Sequence, residues 1–281
     1  DYKNFFFTID DNFDFSKVIR PRDHKLIQIY NYKKKNNKLW CTFSHDQIDL
    51  NFKDPLVFIE FIEIVLLLLS KGVTTFRLDA VAFIWKKNGT SCVNLPETHE
   101  IVKLLRLIVN YINPHALIVT ETNLPRKENL SYFGNNDEAN WIYNFPLPPL
   151  ILYTFLFEDS SKISGWSKSM PPAQINNAYL NFIASHDGIG MRPAEGILDN
   201  IILDKLFKRV KKNGGKFSFR KVESENKVYE ANITLFDALK RTDFDKDGIF
   251  AVERYIAAHS ILLALELSLI HISEPTRPQC I

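Results

Sequence analysis

Three apolar stretches each run into a carboxylate. They are "TTFRLDAVAF" (74–83), "HALIVTET" (115–122) and "AYLNFIASHD" (178–187), and the acids are Asp79, Glu121 and Asp187. Each stretch reads as a strand. Side chains alternate across a strand, so Arg77 and Asp79 share one face while Phe76, Leu78 and Ala80 share the other. A charge on an otherwise buried strand needs a polar destination, because unpaired buried charge is costly. Arg77 is therefore expected to be buried and to pair with a carboxylate or orient one. One acid at a strand end also serves as a helix cap or a surface pair. Three of them, one preceded by an arginine two residues earlier, suit a catalytic cluster. Two carboxylates flanking a bond are the machinery of glycoside cleavage.

The elements that would carry these acids alternate in type. Residues 55–70 are apolar enough for a helix packed against a sheet, and Gly72 ends it. A strand follows at 73–80. "LPETHEIVKLLRLIVNYI" (95–112) has Pro96 near its start and apolar residues at 101, 102, 104, 105, 108, 109 and 112, which is helical spacing. Strands are expected at 115–122, in "NWIYNFPLP" (140–148) and at 178–187, with an apolar helix at about 148–157 and a last helix at 251–266. Such alternation predicts an α/β fold with a parallel sheet and helical crossovers. Residues 1–54 are aromatic and irregular, with strand-like pieces "KLIQIYNY" and "KLWCTF". Residues 190–250 are looser and more charged, with a turn at "NGG" (213–215).

Bulk properties exclude several classes. The 281 residues are 46% hydrophobic with a formal net charge of +2, so no basic field for nucleic acid is present. The runs "KKK" (33–35) and "KRVKK" (208–212) read as solvated faces. The apolar run 64–70 is interrupted upstream by Glu60 and Glu63 and falls short of a membrane span of roughly 20 residues. Cys41, Cys92 and Cys280 have neither metal spacing nor an even framework, and the opening residues do not read as a signal sequence. A reducing, cytoplasmic location is expected. No metal, cofactor, nucleic-acid or membrane partner is expected, and oligomeric state is unspecified.

"FRLDA", "VTETN" and "ASHDG", in this order and spacing, resemble the strand ends of the alpha-amylase superfamily, glycoside hydrolase family 13. The segments "VIRPR" (18–22), "WCTFSHDQIDLNF" (40–52), "RLDAVAFIWKKNGTSC" (77–92), "NFPLPPLIL" (144–152) and "ASHDGIG" (184–190) are similar to its sucrose phosphorylase branch. The resemblance implies part of a (β/α)8 barrel, about strands 4–7. Residues 1–54 would be an inserted subdomain, 55–187 the central barrel, 188–250 an insertion after strand 7 with a partial barrel helix, and 251–266 a barrel helix. It implies Asp79 as nucleophile, Glu121 as general acid/base and Asp187 as the carboxylate that grips sugar hydroxyls. It implies further that Arg77 orients the nucleophile, His186 binds a sugar hydroxyl, Phe43, Gln47 and Phe83 line the acceptor side, and Arg22 recognises phosphate or acceptor. The small-molecule partners would be an α-glucoside and inorganic phosphate as co-substrate.

The sequence also departs from that branch. Ile19 stands where sucrose phosphorylases commonly have Tyr, and "WKKNGTSC" and "LPETH" are closer to enzymes of phosphorylated or glycerate-linked glucosides. The family's early strands and C-terminal β domain are expected outside this chain. From Leu267, "LSLIHISEPTR" resembles a translated sequencing adapter, which would make 267–281 an artefactual tail and the chain an internal fragment. The expected activity is phosphorolysis or glucosyl transfer through a covalent β-glucosyl enzyme, releasing glucose 1-phosphate. Alternatives are an α-glucoside hydrolase with the same acids and a catalytically inert fragment. "DFDKDGIFAVER" (243–254) nearly spells a calcium loop, but Arg254 stands where the bidentate glutamate belongs, so a polar turn before a helix is expected.

Overall fold

The computed structural model describes residues 4–22, 24–32, 35–222 and 225–265. Lys33, Lys34 and the tail from 267, with Pro275 and Cys280, lie outside the described residues. In chain order the elements are β1 (Ile27–Tyr32), β2 (Lys35–Trp40), α1 (Pro55–Ser70), β3 (Thr75–Leu78), α2 (Pro96–Ile112), β4 (Leu117–Thr120), α3 (Arg126–Leu130), β5 (Trp141–Tyr143), α4 (Leu147–Phe157), α5 (Ser161–Ser169), β6 (Ala178–Leu180), β7 (Ile189–Gly190), α6 (Asn200–Lys212), β8 (Lys216–Val222), β9 (Glu225–Asn232), α7 (Leu235–Leu239) and α8 (Ala251–Ala264). The described residues form two compact units, one within 4–122, 127–141 and 218–229, the other within 123–126, 142–217 and 230–265.

In the first unit the irregular opening is organised by an antiparallel hairpin in which Ile27 faces Trp40 and Tyr32 faces Lys35. Phe7, Leu26, Trp40 and Cys92 form its core, with Ile9, Phe13, Val18 and Ile27 packed against them. Phe7 and Phe13 meet Trp40 edge-on, with centroids 5.8 and 5.4 Å away. Aromatic contacts of this kind add to simple area burial. Asp54 caps α1 by accepting from the Leu56 amide, and Pro55 occupies the first helical position, where its missing N–H costs nothing. Gly72, at φ 90°, follows the end of that helix.

Strands β3 and β4 run parallel, with Thr75 facing Leu117 and Leu78 facing Thr120. Helix α2 is the crossover, and its periodic residues Val102, Leu105 and Val109 are buried. The alternation expected on β3 is present: Phe76 and Leu78 are buried while Thr75 and Arg77 are exposed. One expectation is overturned. Arg77 is not buried, because its side chain is 35% exposed. A guanidinium left in water keeps its hydration and avoids the desolvation penalty of burial. Helix α1 buries one stripe and leaves its other faces in solvent. Only Val57 and Val65 are buried, and Leu56, Ile59, Ile64 and Leu67 are exposed, because its apolar surface extends around the helix and packing covers one stripe.

In the second unit α4 is the buried core helix, with Leu147, Leu150, Ile151, Leu152 and Leu156 inaccessible to solvent. Strand β6 ends at Leu180, seven residues before the acid that was expected at its end. Asn181 begins the departure by accepting from the Asn144 side-chain amide at 2.8 Å. The loose stretch 190–250 is more ordered than its composition suggests. Asp199 caps α6 through the Ile202 amide, and Leu203, Leu206 and Val210 bury one stripe of that charged helix. The pattern is a narrow apolar stripe among lysines.

The calcium-like loop is a helix entry. Asp245 accepts from the amides of Gly248, Ile249 and Phe250 at 2.9–3.0 Å and pairs with Arg254 at 2.9 Å. The Phe250 amide first, then the Ile249 amide and Arg254, hold its carboxyl at about 2 instead of 3.8. A folded-state value below the unfolded one means that this carboxylate stabilises the fold fully above about pH 4 and ceases to do so as pH falls through 2. Asp245→Ala should therefore lower the melting temperature at pH 6, with the gap to wild type shrinking between pH 4 and pH 2. A gap independent of pH would contradict this role for the carboxylate.

Candidate active site

The first cluster lies at the carboxyl ends of β3 and β4. Asp79 follows directly on β3, and Arg77 Nη1 donates to its Oδ1 at 2.5 Å. Asp79 itself is 73% exposed. The next residue, Ala80, adopts a left-handed conformation (φ 46°, ψ 33°) and opens a 3-10 turn at Val81–Phe83. An L-residue there carries strain of roughly 1–2 kcal/mol. The conformation turns the Ala80 amide to Glu121, whose Oε2 accepts from it at 2.8 Å. Glu121 in turn donates its own amide to the Leu78 carbonyl at 3.0 Å, one step beyond the last ladder pair. The Glu121 carboxyl is thus pinned to the residue beside Asp79. Chemically this is one carboxylate beside a guanidinium and a second anchored by a backbone amide a residue away.

The acceptor-side candidates in the same unit come together in part. Phe43 and Phe83 meet edge-on, with centroids 5.4 Å apart and planes at 79°. Gln47 is exposed, and its Oε1 accepts from the Ser44 hydroxyl at 3.1 Å. Arg22 lies over the ring of Tyr229, 5.8 Å from its centroid. It is half-buried, not the plain surface arginine its loop position would give.

Side chains that sequence reasoning missed hold this arrangement. Lys86 is 2% exposed, and its ammonium donates to the Phe83 carbonyl and pairs with Asp49 Oδ2 at 2.6 Å. Asp49 also accepts from the Thr42 amide at 2.8 Å and the Thr42 hydroxyl at 2.6 Å. Thr122 donates to Asn129 at 2.5 Å, both buried, just after Glu121. Burial, together with Asp49 and Asp46, pushes the Cys41 thiol up to about 11, so it supplies no thiolate nucleophile at neutral pH.

In the second unit His186 and Asp187 stand together, Nε2 to Oδ2 at 3.5 Å, with side chains 79% and 46% exposed. Asp187 sits in a tight turn closed by the Gly188 amide on the Ser185 carbonyl at 3.2 Å, and its own carbonyl accepts from the Asn232 side chain at 3.1 Å. Among the described residues no group of three or more His, Cys, Asp or Glu is placed to hold a metal ion. No helix among them is long and apolar enough to cross a membrane.

Gly188 admits no side chain. Its φ is 104°, and a Cβ there would stand 2.4 Å from the Ala231 carbonyl oxygen. Gly188→Ala should cost at least about 2 kcal/mol in stability, since positive φ and backbone overlap act together. Denaturant unfolding of the variant checks it, and an unchanged midpoint would contradict the turn geometry.

The family model for "Alpha amylase, catalytic domain" matches residues 1–188 of the 281. The chain is 43% identical over 266 residues to "Glucosylglycerate phosphorylase" of Allomeiothermus silvanus, covering 94% of this chain and 48% of that protein. It is 38% identical over 266 residues to the protein of the same name from Escherichia coli, covering 94% of this chain and 47% of that one. The chain therefore spans about half the length of the curated relatives it matches. Among solved structures, sucrose 6F-phosphate phosphorylase from Thermoanaerobacter thermosaccharolyticum superposes with a TM-score of 0.78 at 23% identity, covering 93% of this chain and 52% of that one. That likeness shows the fold, a part of the expected α/β barrel.

Proposed function

This chain belongs to the alpha-amylase family, and we propose that it is the catalytic segment of a retaining glycoside phosphorylase that moves a glucosyl group from a glycerate-linked α-glucoside to phosphate. What carries this reading is the identity of 38–43%, over 94% of the chain, to relatives named glucosylglycerate phosphorylase. The family match includes the positions of Asp79, Glu121 and Asp187.

In this reading Asp79 Oδ attacks the anomeric carbon as Glu121 protonates the departing glycosidic oxygen. The carbon–oxygen bond to the aglycone breaks and a β-glucosyl ester on Asp79 forms. A phosphate hydroxyl oxygen then attacks the same carbon while Glu121 accepts its proton and the ester bond to Asp79 breaks. Glucose 1-phosphate leaves with its configuration retained and Asp79 is regenerated. Two carboxyls roughly 5–5.5 Å apart suit this double displacement, and the bond from the Ala80 amide to Glu121 at 2.8 Å supports that spacing by anchoring one acid beside the other. Arg77 keeps Asp79 aimed through the bond from its Nη1 to Oδ1. His186 and Asp187 are assigned to the sugar hydroxyls, Phe43, Gln47 and Phe83 to the aglycone, and Arg22 to phosphate or the acceptor's anionic group. No organic or metal cofactor enters the scheme.

The 281-residue chain, and residues 1–265 grafted in place of the matching 48% of the Allomeiothermus silvanus relative, are incubated with glucosylglycerate with and without phosphate. Phosphate-dependent glucose 1-phosphate from the graft is expected, with Asp79→Asn lowering the rate at least ~1,000-fold, as loss of a nucleophile does. Free glucose formed equally without phosphate would make the protein a hydrolase. Undiminished turnover in Asp79→Asn would overturn the assignment of the nucleophile.

A further inference from the structure

Resting on the reading just given, we infer that Lys86 is a positioning residue that sets the aromatic pair Phe43–Phe83 and so governs the enzyme's selectivity for its acceptor. Lys86 sits seven residues after Asp79, next to Lys87, whose side chain is largely solvated and paired with Glu97 at 2.8 Å. Lys86 is different: its ammonium is enclosed and meets three groups. They are the Phe83 carbonyl, Asp49 Oδ2 at 2.6 Å, and the face of Trp40, 5.7 Å from the ring centroid. A buried ammonium needs partners of this quality to offset its lost hydration.

Those partners belong to the two segments that carry the rings. The carbonyl belongs to Phe83 itself. Asp49 reaches both the amide and the hydroxyl of Thr42, the residue before Phe43, and Trp40 Nε1 donates to that hydroxyl at 3.0 Å. One charge thereby fixes two backbone positions whose rings touch edge-on. The partners of Lys86 do not include Asp79 Oδ1 or Glu121 Oε2, which are held by Arg77 and the Ala80 amide. Its removal should shift the rings while leaving the carboxylates in place. Placement errors of about 1 Å remote from the chemistry are costly to the group being positioned.

The test has two arms. 4-Fluorophenylalanine is placed at position 83 of the 281-residue chain and its 19F shift recorded. Lys86→Met should move that resonance towards the position found in Phe43→Leu, because ring contact is lost in both. In the graft, run in the synthetic direction, Lys86→Met should raise KM for glycerate about tenfold, a change of about 1.4 kcal/mol. KM for glucose 1-phosphate and its rate of hydrolysis without acceptor should stay within about twofold. If Lys86→Met does not fold, Lys86→Met/Asp49→Asn, which leaves no orphaned charge, takes its place in both arms. An unmoved resonance, or a loss shared equally by donor and acceptor, would overturn the proposal. Failure of the wild-type graft to use phosphate, with the resonance moving as expected, would instead remove the functional reading and leave the clamp as structure alone.

Discussion

The placement of the two acids in the first unit depends on the register of two short parallel strands. Leu78 faces Thr120, and the ladder continues as the Glu121 amide meets the Leu78 carbonyl. The Ala80 amide then returns to the Glu121 carboxylate, so two hydrogen bonds bracket Asp79. A slip of one residue would turn every side chain of β4 to the other face and carry Glu121 away. The ion pair of Arg77 with Asp79 is a weaker determinant. It is exposed, and pairs of that kind contribute about 0–1 kcal/mol, whereas two backbone-anchored hydrogen bonds of about 0.5–1.5 kcal/mol each fix Glu121. Backbone register places the carboxylates, and Arg77 adjusts one of them.

The same cationic chemistry serves a different purpose a few residues later. Arg77 remains in water and turns to a solvated acid. Lys86 is withdrawn from water and joins the 3-10 turn to the hairpin segment through Asp49 and Trp40. Trp40 links the two regions because its other neighbours, Phe7 and Phe13, belong to the aromatic core of that hairpin. The irregular opening of the chain is therefore mechanically continuous with the aromatic pair beside the candidate nucleophile. A change in the core of the hairpin would be felt at Phe43 through Thr42.

Legibility followed the physical cause of each feature. Helix α2 was readable because its buried face recurs at helical spacing, and β3 because Phe76 and Leu78 alternate with Thr75 and Arg77. The three acids stood out because a carboxylate ending an apolar run is unusual, and the structure brings two of them, Asp79 and Glu121, to the ends of neighbouring strands. Lys86 was not, since it is adjacent to Lys87 and composition does not distinguish the buried lysine from the solvated one. Asp49 was hidden among polar neighbours, its partners lying 7 and 37 positions away. Helix α6 was lost among its lysines. The end of β6 was misjudged because "NFIAS" is apolar enough for a strand, while Asn181 bonds sideways to Asn144. The exposure of Arg77 and of much of α1 depends on what packs against them, which residue type alone does not specify.

The two unit-specific acids share a device that no strand pattern reveals. Asp79 and Asp187 are each followed by a residue at positive φ, Ala80 at 46° and Gly188 at 104°. A left-handed residue reverses the chain at once, leaving the preceding side chain at the tip of a turn instead of along a strand. The residue types differ because the surroundings differ. At 188 the Ala231 carbonyl lies where a Cβ would go, so only glycine fits. At 80 the Cβ is accommodated, and the strain of roughly 1–2 kcal/mol is countered by the hydrogen bond that the same conformation directs to Glu121. Backbone strain is stored where it aims a carboxylate, and at Ala80 the group that relieves it is the second carboxylate.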